Sequence, residues 1–239
     1  MSDWKKIWEG RQIDTEKLTE LTKEELVVEL KRCAGWDLGK GNTKLTYEIW
    51  ERQYLEIKDN LSLGYHGKLE SVFEVGCGSG ASLIFFEQDG ISCGGIDYSS
   101  TLLDVAGRVL ETKDLECLEA CQLSAEIKYD AVLSNSVFSY FDDIPYAEQV
   151  LDQMLKKSNY SIGILDIHNK EKEDAFYEYR MSLEEDYKER YKNLPKLFYE
   201  KSFFEKFAEK NGLRVQFLPS TLEGYWNNEY VFHCYMYRK

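Results

Sequence analysis

The chain lacks the basic excess that a nucleic-acid partner requires. It has 43 Asp and Glu against 30 Lys and Arg, a formal net charge of −13. A phosphate backbone is gripped by clustered Lys and Arg, so this balance argues against nucleic acid, and against an anionic membrane surface, as partners. Long apolar runs are also missing. No stretch approaches the ~20 residues that cross a bilayer, and no apolar segment follows the opening Met-Ser-Asp-Trp-Lys-Lys. Neither a membrane span nor a signal peptide is expected. Proline is scarce, three residues in all, and no Ser/Gly-rich stretch marks a flexible interdomain linker. The six cysteines, Cys33, Cys77, Cys93, Cys117, Cys121 and Cys234, contain no C-x2-C pair. Cys117 and Cys121 fit one helical face, but no second ligand pair accompanies them, so no metal site is expected. Unpaired thiols and the missing export signal together predict a cytoplasmic protein. Oligomeric state has no signature in the sequence.

Residues 1–66 read as helices and loops, an N-terminal cap or lid. Glu24 to Arg32 has helical apolar spacing through Leu26, Val27 and Leu30. A glycine-rich loop, Gly35 to Asn42, follows. Thr46 is placed to cap a helix carrying Tyr47, Trp50 and Tyr54. From residue 67 the pattern is that of a core domain, 67–239, in which short apolar runs alternate with helical segments. Strands are predicted at 72–75, 91–96, 115–120, 129–133 and 160–167, with helices at 81–88, 102–110 and 146–157. Such alternation implies a parallel sheet with right-handed crossovers. A charged helical insertion is predicted over 170–210, interrupted by Pro195. Strands at 215–218 and 230–237 then read as an antiparallel pair at the end of the sheet.

The sharpest local feature is the run Val72-Phe73-Glu74-Val75-Gly76-Cys77-Gly78-Ser79-Gly80-Ala81. A buried strand enters three glycines and then a helix. Without β-carbons the backbone turns sharply and a ligand can lie directly on it, while the helix start offers unpaired N–H groups. Gly76-x-Gly78-x-x-Ala81 also fits a dinucleotide fingerprint. Glu74 shifts the balance: a carboxylate at the strand end would repel a pyrophosphate, whereas it suits a ligand without phosphate and with a cationic end. Asp97, 21 residues after Gly76, ends the second strand and is placed to accept both hydroxyls of a ribose. The residue types also fit a simple helix cap there, since Ser99 and Ser100 follow.

At this point the sequence resembles the class I S-adenosylmethionine (SAM)-dependent methyltransferases. Their first motif is similar to Glu74-Val75-Gly76-Cys77-Gly78-Ser79-Gly80, and their second-strand acid corresponds to Asp97 in Gly95-Ile96-Asp97-Tyr98-Ser99. Tyr129-Asp130-Ala131-Val132 and Ser134-Asn135-Ser136-Val137-Phe138 look like the fourth-strand motif. Ser134 to Phe141 is similar to a subgroup of small bacterial methyltransferases. The resemblance spans about 70–219 and takes in the terminal strand. It implies an α/β, Rossmann-like, doubly wound sheet of seven mostly parallel strands, with an antiparallel C-terminal strand and an N-terminal helical cap. It also implies SAM as cofactor, S-adenosylhomocysteine (SAH) as its product, and SAM contacts from Glu74, Gly76, Cys77, Gly78, Gly80, Asp97 and Tyr98. Glu119 and Ala120 would lie against the adenine, although Asp is more usual than Glu in that place. Asn135, Ser136 and Val137 would line the methionine side.

Methyl transfer from a sulfonium is an in-line displacement, so alignment and exclusion of water carry much of the catalysis. A base is required only if the nucleophile keeps its proton at neutral pH. Asp166 and His168, read as following the fifth strand, are the candidate catalytic pair, with His168 as base. Tyr140, Phe141, Phe198, Tyr199, Tyr225 and Trp226 are candidate walls of an acceptor pocket. Trp4, Ile7 and Trp8 are candidate lid residues. The expected activity is methylation of a small-molecule acceptor. A nicotinamide-dependent oxidoreductase on a Rossmann fold and a non-catalytic SAM-fold interaction module are the alternatives.

Overall fold

The computed structural model describes residues 4–36, 45–64 and 67–239. Before the sheet, these residues form α1 (Trp4–Glu9), α2 (Lys23–Cys33) and α3 (Tyr47–Ser62). A reciprocal cap starts α2: Thr22 Oγ1 accepts from the Glu25 backbone N–H, and the Glu25 carboxylate accepts from that of Thr22. On α3, Trp50, Tyr54, Ile57 and Leu61 are buried at helical spacing and form one stripe against the sheet. Thr46 occupies the N-cap position of α3, but its side chain makes no capping bond there. Of the expected loop over 35–42, residues 37–42 lie outside the described residues.

The alternating region gives β1 (Ser71–Val75), α4 (Leu83–Gln88), β2 (Ser92–Asp97), α5 (Ser100–Val109), β3 (Leu115–Cys117), β4 (Tyr129–Asn135), α6 (Ile144–Lys157) and β5 (Ser158–His168). Then come α7 (Glu173–Leu183), α8 (Tyr187–Arg190), α9 (Lys201–Lys210), β6 (Arg214–Pro219) and β7 (Val231–Tyr237). The strands form one sheet of order β3-β2-β1-β4-β5-β7-β6. β1 through β5 pair in parallel, and β7 inserts antiparallel between β5 and β6. This is the seven-stranded Rossmann-like arrangement expected from the sequence. Cys117 ends β3 and Cys121 sits in a following 3-10 turn, so the shared helical face does not form.

Successive residues of a strand face opposite sides, and the core divides accordingly. Val72, Ala131 and Leu133 join Leu30, Trp50, Leu61 and Phe86 on one face. Phe73, Val75 and Val132 join Val150, Met154, Phe204 and Phe232 on the other. Central strands apolar on both sides belong in a parallel sheet covered twice.

The charged segment after β5 is not one helix. It divides into a 3-10 turn at Lys170–Lys172, α7 and α8, with extended backbone at Glu184. Phe176 and Tyr187 explain the break. Eleven residues of continuous helix would separate them by about 16 Å, yet their rings lie 6.4 Å apart in one buried cluster with Phe198 and Tyr230. The chain must fold back to bury both.

Candidate active site

The glycine run after β1 forms a tight loop against β2. Gly76 and Cys77 both donate backbone N–H bonds to the Ile96 carbonyl, at 2.8 and 2.9 Å. Gly76 has φ +77°, and a β-carbon there would lie 2.4 Å from Val137 Cγ2. Only glycine fits both the conformation and the space. Gly78 also has positive φ, and its side-chain direction is open to 3.8 Å. Ser79 donates its hydroxyl to the Leu30 carbonyl of α2 at 2.7 Å, tying the N-terminal helices to the loop.

Asp97 braces this loop from the end of β2. One carboxylate oxygen accepts from Gly78 N at 2.9 Å and the other from Ser99 N at 2.8 Å. Ser99, not Asp97, caps α5 through Leu102 N. A carboxylate accepts about four bonds, so Asp97 keeps capacity for two hydroxyl donors. Burial pushes its carboxyl up to about 6, against the lowering effect of the two backbone N–H groups.

Glu74 is 2% exposed, and its Oε2 has no hydrogen-bond partner. Burial raises its pKa, and the Lys31 ammonium opposes that rise. Lys31, from α2, is itself buried and lies 4.5 Å from the Trp50 ring centroid. The chain thus supplies a cation of its own near Glu74, which the sequence reading did not include. Nothing in the local sequence around the loop could reveal Lys31, because α2 reaches it only through the fold.

These groups open on one cavity of about 610 Å³, within the range of small-molecule sites. Glu74, Gly76, Cys77, Gly78, Asp97 and Tyr98 line it from β1 and β2. Glu119, Ala120, Asn135, Ser136 and Val137 line it from the ends of β3 and β4, and Asp166 and His168 from β5. Gly80 does not. Its positive φ serves packing, and a β-carbon there would lie 2.8 Å from Leu110 Cδ1. Glu119 is held from outside by Lys5 at 3.6 Å.

Asp166 and His168 belong to the end of β5 and do not follow it. Asp166 sits at φ +58° where the β5–β7 register shifts between Ile164 and Ile167, a bulge that re-aims the residue. Its backbone N–H donates to His233 Nδ1 at 3.1 Å. Its carboxylate accepts from Ser136 Oγ at 2.9 Å and from the Tyr225 hydroxyl at 3.1 Å. Ser136 also has positive φ, +61°. Two strained non-glycine residues bonded to each other at a cavity wall fit the pattern of strain stored at functional sites.

His168 is 2% exposed, between the rings of Phe176 and Phe198, each 5.0 Å away. The expected role as base is revised on two grounds. Burial and the Lys196 charge hold its pKa well below the usual imidazole value. Its Nε2 is also engaged by Asn227 Nδ2 at 3.1 Å. The Tyr225 hydroxyl donates to Asp166, so it accepts from Asn227 Nδ2 at 3.1 Å. That fixes the amide group toward His168 too, makes Nε2 the acceptor, and leaves the ring proton on Nδ1. Nδ1 is buried without a partner.

The aromatic expectations divide. Tyr140, Phe141, Tyr225 and Trp226 line the cavity. Phe198 and Tyr199 do not: Phe198 packs with Phe176, and the Tyr199 hydroxyl donates to the Phe138 carbonyl within the core. Trp4 and Trp8 of α1 line the cavity and meet Tyr140 edge-on, at 4.7 and 5.8 Å. Ile7 is 46% exposed. Tyr54 packs against Phe85 and Phe86 of α4, away from the cavity. The sequence reading missed Arg180, Tyr187, Tyr191, Lys196 and Asn227, which line the far end. The signal of Arg180, Tyr187 and Tyr191 was hidden within a segment whose charge reads as a solvated helix face, and Lys196 and Asn227 lie in connecting segments with no motif around them.

Fold and loop together are those of a Rossmann-like domain with a glycine-rich loop at the end of its first strand. Residues 73–159 match the family model described as a methyltransferase domain. No curated protein matches the chain. Among solved structures, the chain is similar to magnesium protoporphyrin IX methyltransferase from Synechocystis PCC 6803 with bound SAH. That pair shares 15% identity over 84% of this chain and 90% of the other, with a TM-score of 0.59. It is similar to CalS10, an amino pentose methyltransferase from Micromonospora echinaspora, at 10% identity over 80% and 92% of the two chains, with a TM-score of 0.61. It is also similar to the plantazolicin methyltransferase BpumL in complex with a triazolic desmethylPZN analog and SAH, at 16% identity over 100% of both chains, with a TM-score of 0.61. At such identities the likeness is one of fold.

Proposed function

We propose that the protein is a SAM-dependent methyltransferase acting on a small-molecule acceptor. The observation that carries this reading is the composition of the cavity. Bare glycine backbone and a half-satisfied Asp97 carboxylate stand at one end, and an aromatic chamber stands at the other. The residues present fit the donor. Asp97 would receive the ribose hydroxyls, Gly76 and Gly78 would let the methionine portion lie on the backbone, and Tyr98, Glu119 and Ala120 would border the adenine. SAM bound there supplies a methyl group on a positively charged sulfur, which is an excellent leaving group.

The chain's own residues then orient the acceptor and exclude water, the contribution that in-line displacement needs most. Asn135, Ser136 and Val137 lie between the two ends. Asp166, fixed by Ser136 and Tyr225, is the acidic group nearest that junction and the better candidate to receive an acceptor proton, because burial raises its pKa. Residues 1–66 act as a cap on the core 67–239: α1 lies across the cavity mouth, with Lys5 on Glu119 and Trp4 on Tyr140.

Calorimetric titration tests the reading. SAH should bind with micromolar affinity and NAD should not. Asp97→Ala should weaken SAH by at least about tenfold, the loss of one or two hydrogen bonds to a charged group, and Gly78→Arg should also weaken it, because it sets a long side chain at a cavity-lining position of positive φ. NAD binding without SAH binding would reverse the assignment to an oxidoreductase. Incubation of acceptor libraries with methyl-labelled SAM, read by SAH release, identifies the acceptor.

A further inference from the structure

The far end of the cavity holds two cations that no carboxylate among the described residues neutralises by direct contact. Lys196 Nζ stands 4.1 Å from the Tyr140 ring centroid and 5.2 Å from that of Trp4, and among the described residues it makes no ion pair or hydrogen bond. The Arg180 guanidinium lies between Tyr187 and Trp226, 4.7 and 4.8 Å from their centroids, and its Nε is buried without a partner. Burial pulls Lys196 down to about 8; the Asp166 charge opposes that fall, and repulsion from Arg180 adds to it. Asp166 faces Lys196 but is committed to Ser136 and Tyr225. In a chain of net charge −13, uncompensated cations in an apolar chamber are costly to keep. A ligand that brings a negative group would offset that cost.

We infer that the acceptor is a flat, ring-bearing molecule with a carboxylate, whose charge Lys196 and Arg180 receive while the surrounding aromatic rings hold its body. This rests on the methyltransferase reading and names the substrate class of that same site. Arginine and lysine lining one cavity, near enough for each to feel the other's charge, suit an oxyanion, and the walls of Tyr140, Tyr187 and Trp226 suit a ring held by stacking or edge contacts. His168 adds a neutral N–H to the lining, so Lys196, Arg180 and His168 present donors there, with the uncharged Asn227 Oδ1 as a buried acceptor. The arrangement disfavours a cationic acceptor.

The test uses the full-length protein with SAH and matched ring pairs that differ only in charge: benzoate and benzamide, 4-hydroxybenzoate and 4-hydroxybenzamide, 2-naphthoate and 2-naphthamide. Binding is followed by ligand-observed NMR. The carboxylate of at least one pair should bind about tenfold tighter than its amide, the scale of a charge-assisted bond. Lys196→Met and Arg180→Met should each erase that preference, and Arg180→Lys should restore part of it. SAH titration of every variant reports whether the fold survives. Equal binding of the twins, a preference that survives both methionine substitutions, or no ring carboxylate bound up to about 10 mM, the weak limit for fragments of this size, overturns the inference while leaving the donor reading intact. Failure of the wild-type protein to bind SAH overturns both.

Discussion

Under the proposed function Asp97 has two duties whose pH dependences run in opposite directions. Its folded pKa is raised to about 6, above an unfolded value near 3.9. Between roughly pH 4 and 6 the folded chain therefore binds more protons at this site than the unfolded chain, so the group's contribution to stability grows as pH falls through that window. Recognition of ribose needs the carboxylate, so SAH affinity should fall as pH drops from 7.5 through 6 to 5. The Asp97→Asn variant should bind SAH weakly with a much flatter pH profile, and its stability should lose the Asp97 component. Urea melts and SAH titrations at the three pH values check both halves. At this scale much was legible. Gly76 and Gly78 declare themselves because a tight turn demands glycine, and Asp97 stands out because an acid at that spacing is what the proposed ribose contact would need. Lys31, Lys196 and Asn227 do not, because their roles depend on which distant group the fold sets opposite them.

At the scale of elements, α1 bridges two otherwise separate regions. Lys5 reaches Glu119 at the end of β3, while Trp4 donates its indole N–H to the Pro195 carbonyl at 3.0 Å and packs on Tyr140. Deleting residues 1–12 should speed SAH release by about tenfold or more, the behaviour of a removed lid. The sheet should stay folded, because the main stripes of α2 and α3 are untouched. Stopped-flow release kinetics beside circular dichroism melts would show it. Unchanged release would make α1 a surface ornament. The strands and helices of the central region were readable from apolar rhythm alone. The division into α7 and α8 was not, since it answers to a tertiary requirement, the joint burial of Phe176 and Tyr187. The bulge at Asp166 was equally invisible, because it is set by pairing with β7, more than 60 residues further on.

For the whole molecule, β7 is the element that closes the sheet. Every residue of it is buried, and it pairs with β5 on one side and β6 on the other. Truncation before Val231 would leave the apolar edge of β5 unpaired, a template for aggregation. Such a chain should be recovered as insoluble material or melt without cooperativity, in contrast to the α1 deletion. The overall architecture followed from the order of apolar runs, which needs no knowledge of side-chain contacts. The acceptor end did not, because its walls are drawn from α1, β5, α7, α8 and the segments carrying Lys196 and Trp226, which meet only after folding. Most of those walls lie outside residues 73–159, the stretch that matches the methyltransferase model. Under the proposed function, donor capture and acceptor choice are thus written on different lengths of chain. Mutations can redirect such an enzyme toward a new recipient by altering the outer stretches, without disturbing the part that loads the methyl group.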